Sequence, residues 1–303
     1  MKGIDSPTTA MDAPQSVRFT CLTCRKQDGI PWLLGCRDLY LGTPYVVDFW
    51  RCDNCGLTQQ WPLPAETSVL YLEYPVHKKK GSFYEALRTR LMAPSYFRLG
   101  KGSSDLRLLD FGCGDGWFLA GCRGKVAELC GFEPSSGHAS RLSHALGIPI
   151  LSDKTELLRT HALRFDIVTM HYVVEHLTDI DSAFATAGAA LRPGGSLFIA
   201  IPDLTSTEAK MFGRKWHGLD PPRHISFPTQ SVMTCLAERH GFALASSRAL
   251  PFPPGLAGSL ATMVAGKFHP WLFVLFMPLA LVINFAFPGS ARGYLLKKRD
   301  ARF

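Results

Sequence analysis

Apolar positions along the middle of the chain predict alternating strands and helices. Short apolar runs typical of buried strands occupy 106–111, 127–132, 148–151, 165–171, 196–201 and 242–250. Apolar residues at helical spacing predict helices over 136–146, 181–191 and 228–241, and the start of one over 117–122. This alternation predicts an α/β fold, a doubly wound and mostly parallel sheet of about seven strands with helices on both faces.

The regions outside this pattern divide the chain further. The polar N-terminus has no apolar stretch of the signal-peptide kind, so we expect a disordered tail and catalysis in the cytosol. An amphipathic helix is predicted over 82–99. The predicted units are a tail (1–17), a cysteine module (18–64), a connecting helical region (65–104), the α/β domain (105–250) and a C-terminal apolar segment with a basic tail (251–303).

The C-terminal segment is the most apolar part of the chain. Residues 268–287 contain no Asp, Glu, Lys or Arg, and basic residues follow at 292, 297, 298, 299 and 302. A membrane span needs ~20 apolar residues, a length reached here only by counting His269 and Asn284. Pro278 would kink a helix. We therefore expect membrane association through 268–288, as a span or as an interfacial segment, at the inner face of the membrane. A buried hairpin is the alternative.

Composition and charge narrow the function classes. The chain has 303 residues, a formal charge of +8, 47% hydrophobic and 19% charged residues, which excludes a mainly disordered protein. The basic balance suits nucleic acid, but no Asn-Pro-Pro-Tyr type base-flipping loop follows the fourth predicted strand, where 171–174 read His-Tyr-Val-Val. We expect nucleic acid not to be the partner.

Four of the nine cysteines form two Cys-x-x-Cys pairs, Cys21 with Cys24 and Cys52 with Cys55. Two such turns complete a tetrahedral Zn²⁺ site, which predicts a structural zinc ribbon. Disulfides and a redox role are the alternatives, disfavoured by the expected cytosolic location and by the position of the pairs.

Glycines follow the first strand of the α/β pattern at 112, 114 and 116, with Asp110 two positions before the first of them. They permit a sharp turn and close approach of a ligand at the mouth of the sheet. The G-x-G-x-G spacing differs from that of dinucleotide folds, and a carboxylate there suits a cationic amino group better than pyrophosphate. Glu133 ends the second strand, where a carboxylate can bind a ribose diol.

Over roughly 84–250 the sequence resembles the class I S-adenosylmethionine-dependent methyltransferases. The matching stretches are LLDFGCGDG at 108–116, GFEPS at 131–135, FDIVTMHYVVEHLTD at 165–179 and LRPGGSLFIAIPD at 191–203. The segment from Trp216 to Phe227 resembles a subgroup with a W…LD.PRH..F signature, common among ubiquinone-type and cell-surface-glycan methyltransferases. The cysteine module also resembles the zinc domain of sugar C-methyltransferases.

This resemblance implies a Rossmann-like methyltransferase fold and S-adenosylmethionine as cofactor. It places Asp110, Gly112 and Gly114 around the methionine part, and Glu133 on the ribose. Asp153 would contact adenine, or instead cap a helix. Gly116 and His171 complete the expected cofactor site.

Transfer to a hydroxyl also needs a base, and His176 and His224 are the candidates. Arg223 is placed to grip a phosphate or carboxylate of the substrate. Helix capping or packing is the alternative for His176, and hydrogen bonds that tie the loop to the core are the alternative for Arg223 and His224. The spacing His171-x-x-x-Glu175-His176 does not match the i, i+4 histidines of a zinc helix.

The sequence thus predicts methyl transfer to a small-molecule or lipid-linked acceptor, foremost an O-methylation in cell-surface glycan biosynthesis. A sugar C-methyltransferase or a quinone-type O-methyltransferase is the alternative within the class. A non-catalytic cofactor-binding scaffold and a nucleic-acid methyltransferase are the alternatives outside it.

Overall fold

The computed structural model describes residues 18–67, 70 and 103–299. The expected tail (1–17), most of the connecting region (65–104) and its helix over 82–99 lie outside the described residues. The strands are β1 Gly29–Arg37, β2 Val46–Cys52, β3 Thr58–Gln60, β4 Arg107–Phe111, β5 Glu128–Phe132, β6 Ile150–Leu151, β7 Phe165–His171, β8 Leu191–Pro202, β9 Ser226–Phe227, β10 Phe242–Leu250 and β11 Ala291–Lys298. The α-helices are α1 Trp117–Cys122, α2 Ser136–Leu146, α3 Lys154–His161, α4 Ile180–Ala190, α5 Thr207–Phe212, α6 Gln230–Arg239, α7 Pro253–Ala265 and α8 Pro270–Ala286.

Seven strands form the main sheet, in the order β10-β11-β8-β7-β4-β5-β6. Strands β6, β5, β4, β7 and β8 run parallel, and β11 is antiparallel to both of its neighbours. The strand order reverses next to β4, which lies between β5 and β7. This is the predicted doubly wound sheet, and its carboxyl edge at β4 is where such folds bind ligands.

The basic C-terminal tail expected after residue 287 is instead an inner strand of the sheet. Strand β11 pairs with β8 from Ala291↔Pro202 to Lys297↔Ser196. Two of its basic side chains contact neighbouring elements. Arg292 forms an ion pair with Asp203, and the Lys298 ammonium donates to the carbonyl oxygens of Gly188 and Leu191, both at 2.7 Å. The α/β sheet therefore does not end at residue 250 as predicted, because β11 pairs with both β8 and β10.

The cysteine module forms a second, four-stranded sheet in the order β1-β2-β3-β9. Its last strand comes from the W…LD.PRH..F segment, so Thr58 pairs with Phe227 and Gln59 with Ser226. Phe19 belongs to the same apolar core as residues of the main sheet. The module is thus joined to the α/β domain through a continuous core.

Helices α7 and α8 follow β10 and precede β11 along the chain, and they pack against each other. Within the described residues, no helix is long and apolar enough to cross a membrane. The inner face of α8 packs on the core around Phe212 and Trp216. Its outer face is exposed and apolar, with Trp271, Val274, Leu275, Leu279, Val282 and Ile283 at i, i+3, i+4, i+8, i+11 and i+12.

Candidate functional site

The glycine loop after β4 turns in the way its spacing predicts. Gly112, Gly114 and Gly116 all have positive φ, at 75°, 52° and 74°. A Cβ on Gly112 would lie 2.6 Å from Cγ2 of Val173, so no side chain fits there. The loop carrying the implied cofactor contacts is therefore in direct contact with the segment that follows β7.

Two buried carboxyl groups border this loop. Asp110 accepts a 2.7 Å hydrogen bond from the Thr169 hydroxyl, and burial raises its pKa from 3.8 to about 7. The Glu133 carboxylate accepts the backbone N–H groups of Gly114 and Ser135, each at 3.2 Å, and burial raises its pKa as well. Both predicted contact residues thus lie at one edge of the sheet.

Two residues at this edge have roles the sequence does not announce. The His138 ring lies 2.8 Å, through Nε2, from the carbonyl oxygen of Gly114, and Thr169 bonds Asp110. His138 lies outside the four matching stretches, and Thr169 lies inside the stretch at 165–179 but has no residue pattern that marks it as a partner of Asp110. The only signals are their positions, on the first turns of α2 and within β7.

Two other predicted cofactor residues, Asp153 and His171, contact protein groups outside the glycine loop. Asp153 is exposed and accepts the N–H of Glu156 at 2.7 Å, so it caps α3, the alternative named for it; its adenine contact stays a prediction. His171 is buried at the end of β7, with its ring centroid 4.1 Å from that of Phe118. Its contact with the cofactor also stays a prediction.

Arg223 does not face a substrate anion. Its side chain is 1% exposed, and its guanidinium donates to both carboxylate oxygens of Asp38 at 2.8 and 2.9 Å. It also donates to both oxygens of Asp220, at 2.5 and 3.0 Å. Two carboxylates occupy its donors, so the prediction that it grips a substrate is wrong. Arg223 ties its loop to the cysteine module, an arrangement the sequence could not reveal because Asp38 lies 185 residues away.

His176 and His224 come together with Glu175. The two imidazole centroids are 4.6 Å apart, and a carboxylate oxygen of Glu175 and one nitrogen of each ring lie within 4.8 Å of one another. His176 Nδ1 is 2.9 Å from the carbonyl oxygen of Arg223, and His224 Nδ1 is 2.8 Å from that of Gly218. Burial lowers the pKa of both rings, that of His224 to about 3, so both are neutral at pH 7.

The four predicted zinc ligands also assemble. Cys21 and Cys55 have their sulfurs 3.5 Å apart, as do Cys24 and Cys52, and all four sulfurs lie within 4.8 Å of one another. Tetrahedral zinc with ~2.3 Å bonds to sulfur separates its ligands by ~3.8 Å. The four cysteines therefore fit a zinc ion, and the Cys36 thiol lies apart in another part of the core.

Residues 83–247, more than half of the chain, match a family model described as a methyltransferase domain. The chain belongs to this methyltransferase family. The assignment to a methyltransferase family, made from the four sequence motifs, is thereby confirmed.

Curated relatives match over a shorter stretch. The ubiquinone biosynthesis O-methyltransferase of Rhizobium etli (strain CIAT 652) is 34% identical over 111 residues, 35% of this chain and 45% of that protein. Its counterpart in Brucella melitensis biotype 2 is 34% identical over 107 residues, 33% of this chain and 42% of that protein. The methyltransferase thus spans less than half the length of these relatives.

Among solved structures, a SAM-dependent methyltransferase from Archaeoglobus fulgidus is 18% identical, with a TM-score of 0.48, covering 77% of this chain and all of that one. One from Mesorhizobium loti is also 18% identical, with a TM-score of 0.46, covering 69% of this chain and 99% of the other.

Proposed function

We propose that this methyltransferase moves the methyl group of S-adenosylmethionine to a hydroxyl oxygen of a small or lipid-linked acceptor. The observation that carries the proposal is the contact between Gly112 and Val173. It brings the loop implied to hold the cofactor against the turn with Glu175 and His176. Donor and acceptor chemistry would thus meet at the carboxyl edge of β4 and β7.

In the proposed reaction the acceptor O–H loses its proton at the cluster of Glu175, His176 and His224. The oxygen then forms a bond to the methyl carbon while the carbon–sulfur bond breaks, and the electron pair stays on sulfur as S-adenosylhomocysteine. The sulfonium is already a good leaving group, so alignment can supply much of the acceleration, ~7–11 kcal/mol at most. Deprotonation of the hydroxyl is typically worth 10²–10⁴-fold.

A lipid-linked acceptor, a glycan intermediate for example, is favoured by the outer face of α8. Trp271 is 79% exposed, Leu275 67% and Val282 70%. Residues 251–299 contain no acidic residue, whereas Lys267 precedes the helix. An exposed apolar helix face can enter the headgroup region of a membrane, and nearby cations attract it to anionic lipids. We propose this for α8, at the cytoplasmic face.

Methyl transfer is tested with purified full-length protein, S-adenosylmethionine labelled in its methyl group, and a membrane extract divided into lipid, sugar and nucleic-acid fractions. Label in the lipid or sugar fraction, lost in Glu133→Gln, is expected. Label only in nucleic acid would overturn the proposed acceptor class. Cofactor binding without transfer to any fraction would favour the scaffold alternative.

Membrane binding is tested by vesicle flotation, with neutral vesicles and with vesicles containing anionic lipid. The full chain should float with anionic vesicles, and Leu275→Glu with Val282→Glu should abolish this. Leu163→Glu is the matched control, because Leu163 is 56% exposed but lies outside this face. Equal flotation of all three proteins would contradict the assignment to α8.

A quinone-type O-methyltransferase is the second candidate, supported by the similarity to the two ubiquinone biosynthesis O-methyltransferases. A hydroxylated quinone precursor is an apolar acceptor that would also reach the site from a membrane. Methylation of a polyprenylated phenol, with no label in the sugar fraction, would favour this candidate.

We also propose that Cys21, Cys24, Cys52 and Cys55 hold a structural zinc ion. All four sulfurs lie within 4.8 Å of one another, close enough to share one tetrahedral ion. Gln60, next to β9, donates to the carbonyl oxygens of Pro222 and His224 at 2.6 and 2.8 Å. The module would thus position the loop that carries His224. One zinc per chain by elemental analysis, reduced in Cys52→Ser, is expected.

A further inference from the structure

The Glu175 carboxyl group is buried in the described core without a hydrogen-bond partner there. Its side chain is fully buried, and neither carboxyl oxygen has a hydrogen-bond partner within the described residues. A buried carboxyl group without a partner is costly, and proteins retain one where something binds it.

The geometry around Glu175 resembles that of a metal site before the ion binds. One oxygen of Glu175 and one nitrogen each of His176 and His224 lie within 4.8 Å of one another, close enough to share one ion. A backbone hydrogen bond joins the turn at Glu175 to the loop that carries His224: the N–H of Ile225 donates to the Glu175 carbonyl oxygen at 2.6 Å. The two elements that supply the three side chains are thereby fixed together.

The second partners of both histidines support this interpretation. A carbonyl oxygen accepts hydrogen bonds and cannot donate, so the Nδ1 atoms facing Arg223 and Gly218 carry the hydrogens. In a neutral ring this leaves Nε2 as the basic nitrogen. Histidines that bind metals typically donate their other N–H to a carbonyl or carboxylate in this way, which fixes tautomer and ring orientation.

We propose that Glu175, His176 and His224 bind a divalent transition-metal ion at this position. Two imidazoles and one carboxylate are the donor set of open zinc sites and of non-haem iron sites, with positions left for water or substrate. Magnesium and calcium prefer all-oxygen sites. The ion is thus of the zinc, cobalt, iron or manganese class, and it is separate from the four-cysteine site.

The ion gives the cluster a chemical task, in a step that rests on the proposed O-methylation. The acceptor hydroxyl would bind to the ion, whose charge lowers the pKa of a bound hydroxyl. Its proton would pass to solvent, and the oxygen would then form the bond to the methyl carbon while the carbon–sulfur bond breaks. The sulfur of S-adenosylmethionine leaves with its electron pair.

The experiment counts metal ions in the absence of methyl donor and acceptor, so its result does not depend on the proposed function. Full-length protein is purified, loaded with Co²⁺, freed of excess ion and assayed by elemental analysis and visible absorption. Wild type should hold two ions per chain, one with the intense sulfur-to-metal absorption of a thiolate site and one without it.

Glu175→Gln and His224→Asn should each lose the second ion and keep the thiolate absorption. His240→Asn is the matched control, because its ring pairs with Asp181 away from the cluster, and it should keep both ions. A single ion per chain in folded wild type, bound with the thiolate absorption, would overturn the proposal. So would a second ion retained by both cluster variants. Added Co²⁺ should also raise the unfolding temperature of wild type after the cysteine site is filled, and a zero shift would refute the site without any variant.

Discussion

Replacing Asp110 with Asn should stabilise the protein relative to wild type, and this difference in the free energy of unfolding should grow as the pH rises. Burial raises the pKa of Asp110 from 3.8 to about 7 in the folded chain, while its carboxyl group ionises near 3.8 once unfolded. Between these pH values the folded chain binds one more proton than the unfolded chain. Its free energy of unfolding therefore falls as the pH rises and levels off above pH 7.

The magnitude follows from the two pKa values. Each factor of ten in proton affinity is worth ~1.4 kcal/mol, so the ionisable carboxyl group costs the folded state about 4 kcal/mol by pH 7. Asn keeps the size of the side chain and can still accept the Thr169 hydrogen bond, but it does not ionise. The stability of Asp110→Asn relative to wild type should grow by about 4 kcal/mol from pH 4 to pH 7.

Urea unfolding without cofactor, followed by tryptophan fluorescence at a series of pH values, measures this difference. Taking the difference between two variants cancels every other titrating group. Thr169→Val provides a second check: the Thr169 hydroxyl lowers the pKa of Asp110, so its loss should extend the window above pH 7. Parallel pH curves for wild type and Asp110→Asn would refute the reasoning. The Asn variant should also bind S-adenosylmethionine more weakly, despite its greater stability at pH 8.

Three further predictions follow from the contacts. Gly112→Ala should weaken cofactor binding, measured by calorimetry, and lower the free energy of unfolding by ~1–3 kcal/mol, because its φ is positive and its Cβ would meet Val173. Gly124→Ala is the control: its φ is similar but its Cβ would meet open space, so thermal unfolding of the two variants separates backbone strain from the steric clash. Asp38→Asn should lower stability by ~3 kcal/mol in urea unfolding, because it leaves buried Arg223 with one carboxylate; an unchanged midpoint would contradict this. Chelation of the proposed zinc should speed hydrogen exchange at the N–H of Gln60, which bonds to Ile225, while β5 stays protected; equal protection with and without chelator would argue against the coupling.

The parts of the fold that could be predicted depend on neighbours in sequence. The strands at β4, β5 and β7 and the glycine loop were predicted because buried parallel strands are continuous apolar runs, and because a turn after a strand needs glycine. The helix-cap role of Asp153 also depends only on neighbours in sequence, because its carboxylate accepts the N–H of Glu156 three residues later.

The parts that could not be predicted depend on distant residues. Strand β11 carries Arg292, Lys297 and Lys298 within its eight residues, so its sequence resembles a charged tail until β8 and β10 are placed beside it. The same holds for Arg223, whose partner Asp38 belongs to another sheet. His176 and His224 were predicted as separate candidates, but their assembly around Glu175 depends on a loop that returns across 48 residues.

The pairing of Leu250 with Ala291 has a consequence for how this protein can be altered. Residues 251–290 leave the sheet and return to it at adjacent positions, so the two apolar helices form an insertion within what is otherwise a β-hairpin. Such an insertion has no free end about which to swivel. If α8 lies on a membrane as proposed, the pairing of these two strands would tie the sheet to that surface, and their register would set where the glycine loop lies relative to it.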